Sequence, residues 1–477
     1  MHNLSRSTFN TYIIAVLLIL SSYAEAGFAQ TKDRDYLDYA LGAERWLNKQ
    51  TVITDAGKIW RSEGEKNDHP VTNGNITTGS SGVILFYLEL YQQTGDGNFL
   101  KEAEEGASYL MATTPSELYV EKNLNGLELH PSLNLPKDSS MTAYTVANGL
   151  GHPNQVGLNG GVSGIGFTLG EMYRVTGKEE YRRAALDIVE LLLRDVHVDA
   201  AGKTWGSTAE LASGDAGAGL FLLYAHKELG HNEAGVLARA VGDSILARAK
   251  ESNGGVMWST ASAMGGAEYH NFDHGTSGVG YFLATLYQHS GDKRYLNGAT
   301  SAGAYLTNIA YDNGLIPHRF PDSGVPFLGR CNGPAGTNHL FEKLALEAPS
   351  KQWSSIIERS DRTIMDADIL NRKQPVSLNN VSQCCGSAGV ADYFLTKYMK
   401  TKDAKYLAFA KSMTEDIIEH ASDDENGLSW SHLEEHKDAQ IETGYKQGAA
   451  GIGMHFLRMH AVVNDRELSV RLLDDRY

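Results

Sequence analysis

Gly275-Thr276-Ser277-Gly278-Val279-Gly280-Tyr281-Phe282-Leu283-Ala284-Thr285-Leu286-Tyr287-Gln288-His289-Ser290-Gly291-Asp292 is one copy of a pattern that recurs along the chain. A Gly-x-x-Gly tetrapeptide opens an apolar, helix-like run, and a glycine-containing turn closes it. The tetrapeptide returns as GSSG from Gly79, GVSG from Gly161, GDAG from Gly214, GTSG from Gly275, GPAG from Gly333, GSAG from Gly386 and GAAG from Gly448. Related endings, Tyr-Gln-Gln-Thr-Gly-Asp after Leu90 and Tyr-Arg-Val-Thr-Gly-Lys after Met172, lead into a second, amphipathic stretch such as Tyr181-Arg182-Arg183-Ala184-Ala185-Leu186. Each module therefore reads as helix, turn, helix. Several continue into a short extended piece: Gly57-Lys58-Ile59-Trp60, Gly202-Lys203-Thr204-Trp205 and Gly427-Leu428-Ser429-Trp430.

Successive first glycines are 82, 53, 61, 58, 53 and 62 residues apart. Self-similarity on this scale marks stacked supersecondary units, none of which can bury its apolar face alone. The expected fold is all-α: seven helical hairpins closed into an α/α toroid, with an apolar inner ring inside an amphipathic outer ring. An open helical solenoid is the alternative. Glycine is expected at the inner-helix starts because helices converging on one rim need close backbone approach.

The net charge of −16 makes nucleic acid and anionic membranes poor partners. At the start, Arg6, the apolar run Tyr12–Leu20 and Ala24-Glu25-Ala26 predict a signal peptide over residues 1–26. Its apolar run is too short for a bilayer, which needs about 20 residues. Residues 27–477 are expected to form a single toroid domain: exported to the periplasm or beyond, without a membrane span, and monomeric. Thr114–Asn159, rich in Pro, Asn, Gly and Ser, reads as a rim insertion, either touching substrate or idle at the surface.

All three cysteines stand in front of a repeat glycine. Cys331 lies two residues before Gly333, and Cys384 and Cys385 directly precede Gly386. Shared register predicts that these thiols converge. A disulfide between adjacent cysteines is strained, and predicted helix N-termini favour thiolates. Three converging thiolates suit Zn²⁺ with an open fourth position, the arrangement of a catalytic site. The alternative is a Cys331–Cys384 disulfide with Cys385 spare. His274 fills the slot before Gly275 that Cys385 fills before Gly386, so it is expected to face the thiols as acid, base or further ligand. Glu210, four residues before Gly214, and Arg330, next to Cys331, could orient His274 or hold a substrate carbonyl; as solvated rim charges they would do neither. Trp60, Trp205, Trp258 and Trp430 either line the mouth or pack beneath the short strands. His339 reads as core or helix surface. No phosphate loop, serine nucleophile elbow or HExxH is present.

Together, the seven GxxG repeats, the cysteine before the fifth, the cysteine pair before the sixth and His-Gly at the fourth resemble the LanC-like lanthionine cyclase family. The resemblance spans roughly Thr31 to Ala461. It implies an α/α toroid with zinc at its centre, held by Cys331, Cys384 and Cys385, with His274 essential and Glu210 as its acidic partner. Cys385 stands where the family most often has His, and Arg330 where it often has Trp. The implied activity is addition of a thiol to dehydroalanine or dehydrobutyrine, giving a thioether, on a peptide or thiol-containing small molecule. Zinc would take the substrate thiol as fourth ligand and lower its pKa, and His274 would either protonate the resulting enolate as imidazolium or, as neutral imidazole, take the thiol proton. Two rivals remain at this stage. One is a glycan-active α/α-barrel enzyme using acids among Asp273, Glu210 and Asp215; the other is a zinc-containing binding module without turnover.

Overall fold

The computed structural model describes residues 35–62, 73–118, 156–206, 208–260, 267–322, 324, 327–367, 369–370, 380–431, 441–470 and 472–475. The expected signal peptide, and residues 119–155 of the expected insertion, lie outside them.

Every GxxG starts a helix. The inner helices are Ser80–Thr94, Val162–Thr176, Asp215–Glu228, Thr276–Ser290, Pro334–Glu347, Ser387–Thr401 and Ala449–Val463. They are buried over most of their length, and Val83 to Leu88 is fully buried, as a helix enclosed on every side requires. Six outer helices follow them: Gly97–Thr113, Glu179–Asp195, Asn232–Ala247, Lys293–Ile309, Lys351–Asp366 and Ala404–Glu419. Their apolar residues recur on one face only, such as Tyr181, Ala185, Ile188, Val189 and Leu192 of Glu179–Asp195.

The Gly-Asp pair between helices has two separate duties. Gly95 and Gly291 end inner helices at φ 73° and 68°, left-handed values that cost glycine nothing. Asp96 and Asp292 then cap the outer helices by accepting from the backbone N–H groups of Asn98 and Arg294.

Each inner helix packs on the next, and Ala449–Val463 packs on Ser80–Thr94, so the ring closes and the open solenoid is excluded. The seventh outer helix comes from the other end of the chain. Tyr36–Lys49 packs along Ala449–Val463, with Tyr39 stacked on Phe456 at 5.1 Å. Among the described residues, β-structure is limited to five two-stranded antiparallel pairs and the isolated antiparallel bridge Ser431–Ile441. Trp205, Trp258 and Trp430 pack beneath them, not at the mouth. Each donates its indole N–H to a carbonyl at the end of the preceding outer helix, that of Leu192, Ile245 or Ile417.

The second glycine of each tetrapeptide sits against the carbonyl of the residue six positions earlier, as Gly336 against Arg330 and Gly451 against Tyr445. A methyl group there would overlap the oxygen. The first glycines have extended φ values between −101° and −136°, which any residue adopts. Close approach, not special dihedrals, is what the repeat demands of its second glycine.

Candidate metal centre and acid–base pair

The loops entering the inner helices meet at one rim and join in a closed circle of backbone hydrogen bonds. The N–H of Thr77 donates to the C=O of Asn159 at 3.2 Å, Asn159 to Ala212 at 3.0 Å, Ala212 to Asp273 at 3.1 Å and Asp273 to Cys331 at 3.1 Å. Cys331 donates to Cys384 at 3.0 Å, Cys384 to Lys446 at 2.7 Å, and Lys446 back to Thr77 at 3.1 Å. Each of the seven lies two residues before a first glycine. One residue nearer the glycine, Thr78, Gly160, Ser213, His274, Asn332, Cys385 and Gln447 are all partly exposed. One residue further back, Ile76, Leu158, Leu211, Phe272, Arg330, Gln383 and Tyr445 are all buried. The rim is thus layered, with the hydrogen-bonded circle as its floor.

This register brings the cysteines together. Their three sulfurs lie within 4.8 Å of one another, a cluster that can hold a metal ion. Cys385 Sγ is 3.1 Å from Cys384 Sγ. The expectation of three free thiols needs correction, however. Cys331 and Cys384 form a disulfide, their Cα atoms 5.3 Å apart and so within the range such bonds span. Cys385 is the free thiol, and burial pushes its pKa up to about 12, with Asp273 adding to the rise and Lys446 opposing it. Disulfide sulfurs are not thiolate donors, so this oxidised form offers a metal one sulfur and the reduced form three.

His274 and Glu210 meet as expected. Glu210 Oε2 lies 3.2 Å from His274 Nδ1, and the carboxylate also accepts from the N–H groups of Ala212 at 2.9 Å and Ser213 at 2.8 Å. Burial opposes charge on the imidazole, but the bond to Glu210 and the nearby Asp273 outweigh it and raise the pKa of His274 above 6.5. Tyr269 stands edge-on to His274 at 6.4 Å and to His318 at 5.0 Å, and His318 packs on Phe327 at 4.1 Å. These rings wall one side of the site. Burial, with Arg319 and His274 nearby, lowers His318 to about 4, so it stays neutral.

Arg330 is not at the rim. It belongs to the buried layer, and its guanidinium meets the C-terminal turn Leu473–Asp475. Nη2 donates to the backbone carbonyl of Asp474 at 2.8 Å and lies 3.2 Å from its carboxylate; Nη1 is 3.5 Å from Asp475. That turn enters the ring from the opposite side. The segment before it crosses the far ends of the inner helices, where Glu89 accepts from the N–H of Val470 at 2.7 Å and Arg174 donates to the carbonyl of Ser469 at 2.8 Å. Asp474 also pairs with Lys446 at 3.1 Å, and Asp475 with Arg458 at 2.7 Å. His339, in the inner helix Pro334–Glu347, is a core residue 3.8 Å from Asp475. A cavity of about 760 Å³ near Leu473, lined also by Tyr281, His339 and Lys343, opens between the far halves of the inner helices, away from the cysteines.

Each of the three acids considered for glycan chemistry has a partner of its own. Asp215 is held by Arg248 at 2.5 Å and Thr204 at 2.8 Å, Asp273 lies 3.7 Å from Lys446, and Glu210 serves His274. Reading one column of the repeat, two residues before each glycine, would have picked out Lys446 beside Asp273, Cys331 and Cys384.

Residues 195–472, more than half of the chain, match the lanthionine synthetase C-like proteins. The chain belongs to the lanthionine synthetase C-like family. Among solved structures, nisin cyclase superposes with a TM-score of 0.57 at 14% identity, over 86% of this chain and 94% of that one. This likeness shows the α/α toroid fold. Cellobiose 2-epimerase from Bacillus thermoamylovorans gives 0.45 at 10% identity, over 87% and 95%. D-mannose isomerase gives 0.43 at 14% identity, over 62% and 85%. No curated protein sequence matches the chain. All three cysteines, His274 and Glu210 fall inside the stretch matched to the lanthionine synthetase C-like family.

Proposed function

We propose that this chain is an exported, zinc-dependent enzyme that adds a thiol to dehydroalanine or dehydrobutyrine, forming a thioether on a peptide or small molecule. The observation that carries the reading is the circle of backbone bonds, which gathers three sulfurs on neighbouring positions and sets the His274–Glu210 pair on the same rim. The donor set fits a thiophilic ion once the Cys331–Cys384 bond is reduced, because soft sulfur ligands select zinc over harder cations. Zinc held there would supply a lowered thiol pKa, making the substrate sulfur a nucleophile near neutral pH.

The remaining work falls to the chain itself. Glu210, fixed by two backbone N–H groups, accepts from Nδ1 of His274 and leaves the other ring nitrogen for the substrate. Its carboxylate keeps the imidazole protonated further into the neutral range, ready to deliver a proton to the carbon beside the attacked one. The aromatic wall of Tyr269, His318 and Phe327 shields that transfer from water. Outside the cytoplasm, oxidation of Cys331 and Cys384 competes with metal uptake for the same sulfurs.

The test is to reduce the protein, add zinc and remove the excess. One zinc per chain is expected in the wild type and almost none in Cys385→Ala. The reduced, metal-loaded protein should accelerate addition of a thiol to a dehydroalanine peptide, read as a mass gain and loss of free thiol. A reduced protein that retains no zinc, with a rate equal to that of buffer, rules the reading out.

A further inference from the structure

The far face of the ring holds a concavity that the thiol chemistry does not use. It is the cavity of about 760 Å³ between the C-terminal halves of the inner helices Asp215–Glu228, Thr276–Ser290 and Pro334–Glu347. Its floor is apolar, with Leu220, Leu223, Leu473 and Tyr281 all buried. Leu346 stands on the lip, 77% exposed. A space of this size suits a small organic molecule, since ligand pockets run to about 300–1,000 Å³.

One sign of charge predominates around it. Lys227, Lys343 and Lys400 line the cavity against one carboxylate, Glu342; three minus one leaves an excess of two positive charges, in a chain whose net charge is −16. Lys227 and Lys400 sit in last helical turns, where the helix dipole by itself favours a cation. Lys343 does not, lying one turn back from the end of Pro334–Glu347. Neutral groups orient it. Its ammonium donates to the carboxamide oxygen of Gln288 at 2.8 Å and lies 4.7 Å from the centre of the Tyr281 ring. Neither contact cancels the charge. Glu342 meets Lys400 at 2.8 Å and Lys397 at 4.0 Å, so one carboxylate is divided between two ammonium groups. Lys227 is 3.4 Å from Glu228, which leaves Lys343 and Lys400 as the cations for a ligand. A cationic edge above an apolar floor is the complement of a molecule with a charged head and an apolar body.

We infer that this cavity binds a small amphipathic anion, a single carboxylate or phosphate head on an apolar body. The head meets Lys343 and Lys400, and the body covers Leu220, Leu223 and Tyr281, with Leu346 closing over it at the lip. A cationic amphiphile is repelled by the same lysines, and an uncharged one forgoes the contact to its head. Hydrogen bonds to charged groups contribute about 1.5–3 kcal/mol, so the head decides affinity about tenfold or more. No bond forms or breaks. The site is separate from the thiol-addition reading, because Cys331, Cys384 and Cys385 precede the opposite, N-terminal ends of the inner helices.

The experiment is titration calorimetry of the full chain, without reduction or added zinc, using decanoate, decyl phosphate, decanol and decyltrimethylammonium, each below its micelle concentration. One decanoate per chain is expected, with decanol about tenfold weaker and the ammonium weaker still. Lys343→Met keeps the stem and removes the charge; it should weaken decanoate about tenfold, and Lys343→Arg should restore it. Lys400→Met, at an exposed helix end, should act in the same direction, because Glu342 is then left to repel the head, and it decides the matter if Lys343→Met lowers Tm. Lys178→Met, on an outer turn beside Glu104, should change nothing. Tighter binding of decyl phosphate than of decanoate, with the same dependence on Lys343, supports the site and makes the head a phosphate. No binding by the wild type overturns the inference, as does equal affinity for decanoate, decanol and the ammonium. Decanoate binding unchanged in both lysine variants overturns it too. So does binding that disappears when the reduced protein is loaded with zinc, which would place the ligand at the cysteines.

Discussion

Replacing Arg330 by methionine separates a structural cation from a catalytic one. The guanidinium is 4% exposed, and its partners are the carboxylates of Asp474 at 3.2 Å and Asp475 at 3.5 Å, with the Phe272 ring centroid 5.9 Å away. Methionine keeps the stem's volume and removes the charge. Breaking a buried ion pair from one side costs about 3–5 kcal/mol, because the partner charge remains buried. Lys446 and Arg458 still face the two carboxylates, which keeps the cost near the lower end, about 3 kcal/mol. With an unfolding entropy of about 2.1 cal/mol/K per residue over roughly 400 folded residues, Tm should fall by about 3–4 °C. Calorimetry measures this directly. Zinc retention after reduction and turnover at a temperature well below the transition should stay within a few-fold of the wild type. Adding Asp475→Asn should recover part of the loss, since it removes one of the stranded charges. Abolished turnover with an unchanged Tm would refute the assignment and return Arg330 to the substrate side of the rim.

Glu210→Gln should move the fall of activity on the alkaline side to lower pH. Glu210 raises the pKa of His274 in the folded state, so this pair's contribution to stability is complete below about pH 6.5 and is lost as pH rises through the raised value. A rate–pH profile of both proteins checks the shift, and coincident profiles would remove Glu210 from the mechanism. Gly451→Ala places a methyl group against the carbonyl of Tyr445 and should destabilise by about 1–3 kcal/mol. Urea titration reads it, and an unchanged midpoint would mean the rim tolerates the extra atom.

The ring was legible because its signal is repeated. Seven tetrapeptides in register fixed the inner helices, and the same register placed Cys331, Cys384, Cys385 and His274 on one rim. The offset of Glu210 to Gly214 left it open between a partner of His274 and a solvated charge, and in the structure its carboxylate lies 3.2 Å from His274 Nδ1. Arg330 went astray for a local reason. One residue before Cys331, the loop turns its side chain down into the barrel, and the carboxylates waiting there come from a turn with no repeat signature. The state of the thiols was open in the sequence, since the same spacing suits a disulfide and a metal site, and redox conditions choose between them. The seventh outer helix escaped notice because no GxxG precedes Tyr36–Lys49.

That helix has a consequence for synthesis. Tyr39, Ala43, Trp46 and Leu47 are buried in the finished molecule, yet their partner helix, Ala449–Val463, is made some four hundred residues later. A growing chain therefore carries an unclasped greasy strip at its front for nearly the whole of translation. Non-local contacts of this kind slow assembly and expose partly built chains to self-association. Joining the C-terminal turn Leu473–Asp475 to the start of Tyr36–Lys49 and reopening the chain elsewhere would bring the two helices close in sequence, and such a permutant should refold faster than the natural order.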